Sequence, residues 1–397
     1  GFFGGVLWLC MSCESNDRQR TYMPPLPTDD VYKRAQVGVE YLSGLLRRGN
    51  RTASNYHKRA ELYMVLRQWP QALEDIEKAL DDNPTSGQYL FAKARVLRHL
   101  KRYDEALAAA RQAEVLGQDT PDLYVLLGDL TQEKQQFRQA KLYLAKALQM
   151  APYEGEAYYY SGLLDARQGD TLSAIALIQR ALELRPRFAP AYSELTQIYT
   201  RLKEYDQARA INNQGLRYFP KEAPIHYARG LFYHTQKRLD SALICYRKTI
   251  NFDSTFYLAD FQAGTIYLKW YSYPQAIRSF EKVLRFDPKY PQAHFLLASA
   301  YDKIGNLEKA IEYYALATEA NPADWRARGR LYRAQQRKNY FDTYGTLPPA
   351  APEVVAETEE ETPQKTLDPE RVQVEVLTPK LEFKTKIDTA RSFKIKQ

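Results

Sequence analysis

Eight alanines stand 34 residues apart through most of this sequence: Ala72, Ala106, Ala140, Ala174, Ala208, Ala242, Ala276 and Ala310. A proline series keeps the same interval, at Pro84, Pro152, Pro186, Pro220, Pro288 and Pro322, with Gln118 and Ser254 at the two beats that lack proline. A third series is of small residues: Ala60, Ala94, Gly128, Gly162, Thr196, Gly230, Gly264 and Ala298. A period shared by three residue types is the mark of a repeat array, in which each unit buries its apolar face against its neighbours. The 397 residues then count units rather than compact domains.

The blocks run 53–86, 87–120, 121–154, 155–188, 189–222, 223–256, 257–290 and 291–324. Each reads as two helices, the first with the small residue near its middle and the second with the alanine early. Where two helices cross closely, any side chain larger than alanine holds the backbones apart, so the small residues mark crossings. The prolines end one unit and set the start of the next, because proline cannot continue a helix interior. Tyr63, Tyr199, Tyr233, Tyr267 and Tyr301 recur at one beat, and Trp69, Tyr103, Phe137, Tyr205 and Tyr273 at another.

This pattern resembles the tetratricopeptide repeat family over residues 53–324. The resemblance implies an all-α fold, a right-handed superhelical solenoid of about eight helix pairs with capping helices. Departures are local. Gly117-Gln118 and Asp253-Ser254 replace two proline ends, and Asn212, Asn213 and Gly215 stand where apolar residues or alanine are usual. Those three weaken a helix, so the second helix of the fifth repeat is expected to be a soft point of the array.

Outside the repeats, residues 1–13 read GFFGGVLWLCMSC, an apolar run far shorter than the roughly 20 residues that span a bilayer. An apolar stretch, then Ser12-Cys13, then a polar run from Glu14 resembles a bacterial lipoprotein signal. That resemblance implies a lipid on Cys13, although Cys10 and Met11 occupy places where small aliphatic residues are usual. The first residue is not methionine, and a longer natural N-terminus is expected. Residues 14–30 form a proline-bearing linker ending in Asp29 and Asp30, either of which can cap a helix. Val31, Ala35, Val39, Leu42, Leu45 and Leu46 lay an apolar stripe along a capping helix within 31–52. After the array, 325–341 reads as a basic capping helix with Arg326, Arg328, Arg330, Arg333, Arg337 and Lys338. It suits a polar cap, or a dock for an acidic partner. Residues 342–370 are poor in apolar side chains and rich in Pro, Thr and Glu, a composition that buries no core and is expected to be disordered. The basic tail 371–397 alternates Val372, Val374 and Val376 with polar residues, a pattern compatible with two short strands or with none.

The net charge of +8 is modest and both signs interleave along the array, which points away from nucleic acid. Three cysteines, Cys10, Cys13 and Cys245, allow no disulfide framework, and five scattered histidines complete no metal site with them. No motif for a nucleophile, a phosphate loop or paired catalytic carboxylates is present, so no enzyme, cofactor or small-molecule substrate is expected.

Binding of other proteins or peptides, in an envelope complex, is the expected use. In the resembled family the first helices line a concave face. One beat of these helices reads His57, Phe91, Val125, Tyr159, Ser193, Tyr227, Phe261 and Phe295, with Tyr160 adjacent. Exposed aromatic side chains there are good anchors, since they remove much apolar area for little rotamer entropy. Phe91, Tyr159, Tyr160, Tyr227, Phe261 and Phe295 are therefore candidate contact residues, the last three as a stripe; packing between helices is the alternative. Co-chaperone repeats of this family grip a C-terminal carboxylate with a lysine and an asparagine one turn apart. The matching pairs here are His57/Glu61, Phe91/Arg95, Val125/Asp129 and Tyr159/Leu163, which argues against that role. A soluble intracellular adaptor without a lipid is the alternative to an anchored scaffold.

Overall fold

The computed structural model describes residues 30–346, and the expectations for 1–29 and 347–397, Cys13 and the strand-like tail included, lie outside them. Among the described residues there are eighteen helices and no strand. The first, α1, spans Val31–Arg47, and Asp30 caps it by accepting hydrogen bonds from the Tyr32 and Lys33 amides at 2.9 and 3.3 Å. Ala35, Leu42 and Leu46 of its apolar stripe are buried, and α1 packs on the helix that follows.

Then come eight antiparallel pairs. The first helices are α2 (Ala53–Val65), α4 (Gly87–His99), α6 (Pro121–Glu133), α8 (Gly155–Gln168), α10 (Ala189–Arg201), α12 (Ala223–Thr235), α14 (Tyr257–Lys269) and α16 (Pro291–Lys303). Their partners are α3 (Trp69–Asp82), α5 (Tyr103–Val115), α7 (Phe137–Met150), α9 (Thr171–Leu184), α11 (Tyr205–Tyr218), α13 (Leu239–Phe252), α15 (Tyr273–Phe286) and α17 (Leu307–Ala320). Packing within a pair is closest, and each second helix then packs on the next first helix. All eight alanines of the series are fully buried. The glycines of the small beat face large side chains of the paired helix, Leu144, Ile178, Tyr246 and Phe280; a Cβ added at Gly230 would lie 2.6 Å from Cδ1 of Tyr246.

Two local devices repeat with the array. The turn between paired helices contains a residue of positive φ, at Arg67, Lys101, Gln135, Gly169, Lys203, Lys237, Tyr271 and Gly305. That left-handed residue closes the preceding helix, and only two of the eight are the glycine that suits it. Between pairs, the proline carbonyl is met by a ring six residues on. Tyr158 and Tyr192 donate to Pro152 and Pro186 at 3.2 and 2.9 Å. His226 and His294 donate from Nε2 to Pro220 and Pro288 at 2.9 and 2.8 Å.

The fifth repeat departs from the expected soft point. Helix α11 is continuous, Asn212 is buried, and its amide donates to the Ile225 carbonyl of α12 at 3.0 Å. Gly215 brings the backbone of α11 against Tyr192 of α10 and Ile225 of α12. Helices α10 and α12 pack on each other far more closely than other successive first helices do. The polar and small residues thus make a tight bend rather than a weak helix.

The last helix, α18 (Trp325–Tyr344), runs past Phe341, where the sequence pattern places its end and a disordered linker begins. Lys338 pairs with Asp342 at 2.9 Å and the Thr343 hydroxyl donates to the Asn339 carbonyl, which carries the helix on until Gly345 turns to φ 69°. The chain divides into two compact units after Leu331, inside this helix. In the first, Ala327 is buried while Arg326, Arg328 and Arg330 are exposed. In the second, the Tyr340 and Tyr344 rings lie 4.5 Å apart.

Candidate functional site

The first helices of repeats 2 to 4, with the start of α10, enclose a groove of about 700 Å³. Phe91, Tyr159 and Tyr160 line it, together with Val125, Leu126, Leu163 and Phe188. Their setting follows from the repeat. Residues at one beat of successive first helices stack side by side, so a period of 34 in sequence becomes a neighbour in space.

Charge follows the same rule. Arg95 reaches Glu61, one period earlier, at 3.3 Å, and Arg167 pairs with Glu133, also one period earlier. At the floor, Arg98 Nε donates to Asp129 Oδ2 at 2.6 Å and Nη2 to the Tyr160 hydroxyl at 3.2 Å, tying three repeats together. Burial pushes the Asp129 carboxyl above its ordinary value, and the Arg98 guanidinium pulls it back. Burial likewise raises the Tyr160 hydroxyl, which stays neutral. His99 lies flat on Trp69, ring centroids 3.9 Å apart. Desolvation, then Arg98, Arg95 and Arg67, hold its imidazole down to about 4, so at neutral pH it adds no charge to the wall. Arg98 and Asp129 thus brace the floor, while the Arg95–Glu61 and Arg167–Glu133 pairs stay partly exposed to solvent. Arg98, Arg167 and their partners were missed as site residues; opposite signs one period apart find Glu61–Arg95 and Glu133–Arg167, whereas Arg98 and Asp129, 31 residues apart, leave no such signal.

The aromatic candidates part company here. Tyr159 is buried, edge-on to Tyr160 at 5.2 Å and to Phe188 at 5.0 Å. Tyr227, Phe261 and Phe295 do not line the groove. Phe261 is buried, with its ring 5.9 Å from Phe280 and 5.0 Å from Tyr290, which corrects the expectation of an exposed stripe there. Tyr227 and Phe295 are half-buried against Tyr246 and Tyr314. A ring at this beat reaches across to the segment before the next first helix, and packing takes it. Phe91 and Tyr160 keep part of their surface open, with Arg95 over the Phe91 ring at 5.7 Å.

Models of the tetratricopeptide repeat match residues 57–121 and 125–190, 165–231 and 271–334, and 223–256. The chain belongs to the tetratricopeptide repeat family. Solved tetratricopeptide-like arrays share its fold. The Cut9–Hcn1 hetero-tetramer of APC/C is similar at a TM-score of 0.57 and 16% identity, over 77% of this chain and 62% of that one. The chain therefore spans less than two thirds of that protein's length. Yeast Tom70 is similar at a TM-score of 0.54 and 16% identity, over 81% of this chain and 67% of that one. No curated protein matches by sequence. Among the described residues of this tetratricopeptide repeat array, no helix is long and apolar enough to cross a membrane, and no cluster could hold a metal.

Proposed function

We propose that the chain is a non-enzymatic scaffold that binds partner proteins or peptides through the groove of its first helices, and that a lipid on Cys13 holds it at a bacterial envelope membrane. The groove carries the first part. It offers open aromatic surface at Phe91 and Tyr160 on a wall where Arg95, Arg98, Glu133 and Arg185 are each held in an ion pair, so an incoming chain meets a pre-set surface. The second part is supported by the apolar run before Cys13 and the polar run after it. The array would then present its surface at a distance from the membrane set by the segment before Asp30.

Capture of partner proteins from native membranes by the purified chain tests the groove. Phe91→Ala with Tyr160→Ala is expected to weaken capture about tenfold or more at unchanged helix content, as loss of two anchors should. Equal capture by the variant would move the binding surface elsewhere. For the anchor, cells fed a fatty-acid analogue are expected to label the wild type and not Cys13→Ala; an unlabelled wild type leaves a soluble scaffold.

A further inference from the structure

In a stack of helix pairs, the turns within pairs line one edge and the connections between pairs line the other. Two contacts in this array join opposite edges. Arg67, in the turn between α2 and α3, reaches Glu222, the residue before α12, at 3.6 Å. Lys101, in the turn between α4 and α5, lies over the ring of Tyr257, the first residue of α14, at 5.2 Å. The turn of the first pair meets the residue just before the sixth pair, and the turn of the second pair meets the first residue of the seventh, so the two share nearly one register. Edge-to-edge contact at a constant offset means that one turn of the superhelix has come round and met the next.

The tight bend of the fifth repeat supplies the rotation. Asn212 bound to the Ile225 carbonyl and Gly215 against Tyr192 draw α10 and α12 together across the connection that carries Glu222. The turns of the first two repeats supply the reach. Arg67 and Lys101 hold φ at 57° and 60°, where glycine would sit with less strain, but glycine has no side chain to cross the gap. A long cation at each position makes the contact that a glycine there would forgo.

We infer that Arg67–Glu222 and Lys101–Tyr257 form a clasp that closes one turn of the superhelix and encloses the groove of repeats 2 to 4. Both contacts are at the surface and each is weak alone, so the clasp is reversible. A folded partner then reaches the groove only with the clasp open, while an extended segment enters along it. That consequence rests on the reading of the groove as the binding site; the closure does not.

The test needs no partner. Arg67→Lys keeps the charge and adds an amine, which a carbodiimide joins to the Glu222 carboxylate as an amide with loss of water. In the full chain, the expected product is an intramolecular cross-link between positions 67 and 222, absent when Glu222→Gln is added. The Lys78–Glu74 pair, at 2.6 Å, serves as the internal control. A 74–78 cross-link without the 67–222 product would overturn the closure. Arg67→Glu with Lys101→Glu is expected to enlarge the radius of gyration in solution scattering, and Glu222→Arg added to Arg67→Glu to reverse part of that gain. A radius unchanged by the two acidic substitutions would overturn the clasp as what holds the turn shut. Failure of partner capture would leave both measurements standing, and so separates the two proposals.

Discussion

Gln135 shows what a single backbone angle costs. It sits at φ 58° with its side chain exposed, and it makes no part of the clasp. A non-glycine residue in the left-handed region carries about 1–2 kcal/mol of strain, against about 0.5–1 kcal/mol of extra chain entropy for glycine. Strain wins, and Gln135→Gly is expected to stabilise the array by about 0.5–1 kcal/mol. Gly305, at φ 79° in the equivalent turn, is the reverse case, and Gly305→Ala is expected to lower stability by about 1 kcal/mol. Urea midpoints of the two variants check both signs. This beat was illegible in the sequence, because Arg, Lys, Gln and Tyr occupy it in six of eight turns and none of them signals φ above zero. Only Gly169 and Gly305 carry the usual residue, and two points do not reveal a period.

At the scale of helices, the alanine series was fully legible, since a close crossing admits few residue types and the restriction repeats. The ion pairs were not. Glu61 and Arg95, or Glu133 and Arg167, look like exposed helical charges until the spatial neighbour is taken to lie one period away. Aromatic candidates such as Phe261 misled for a related reason: periodicity places a residue on a face, but the next repeat decides whether that face is covered. Glycine on a helix shows the same dependence. Ala is preferred to Gly by about 1 kcal/mol in a helix interior, so Gly44→Ala in α1, with nothing near its Cβ, is expected to stabilise by about 0.5–1 kcal/mol. Gly230→Ala meets the Tyr246 ring at 2.6 Å, and overpacking of about 1–3 kcal/mol outweighs the helix gain. Opposite shifts in thermal midpoint are the expected result; a stabilised Gly230→Ala would mean that the ring yields.

For the array as a whole, fold class was readable from three series of small residues and prolines, whereas its curvature was not. Curvature accumulates from small rotations at each interface, and a single irregular step changes where the two edges meet. Asn212 and Gly215 are such a step, and in the sequence they look like defects. Their local effect is on helix strength, but their structural effect is on how far the array turns.

The rings that meet the proline carbonyls also say where this chain divides into modules. Tyr158, Tyr192, His226 and His294 each complete a hydrogen bond to a connection that precedes their own helix. A proline therefore belongs, energetically, with the repeat that follows it and not with the one it ends. Fragments begun at Gly155 or Ala189 would lose these hydrogen bonds, while fragments begun just before Pro152 or Pro186 would keep them. Any transplant or shuffling of repeats in this protein should make its joints upstream of the prolines.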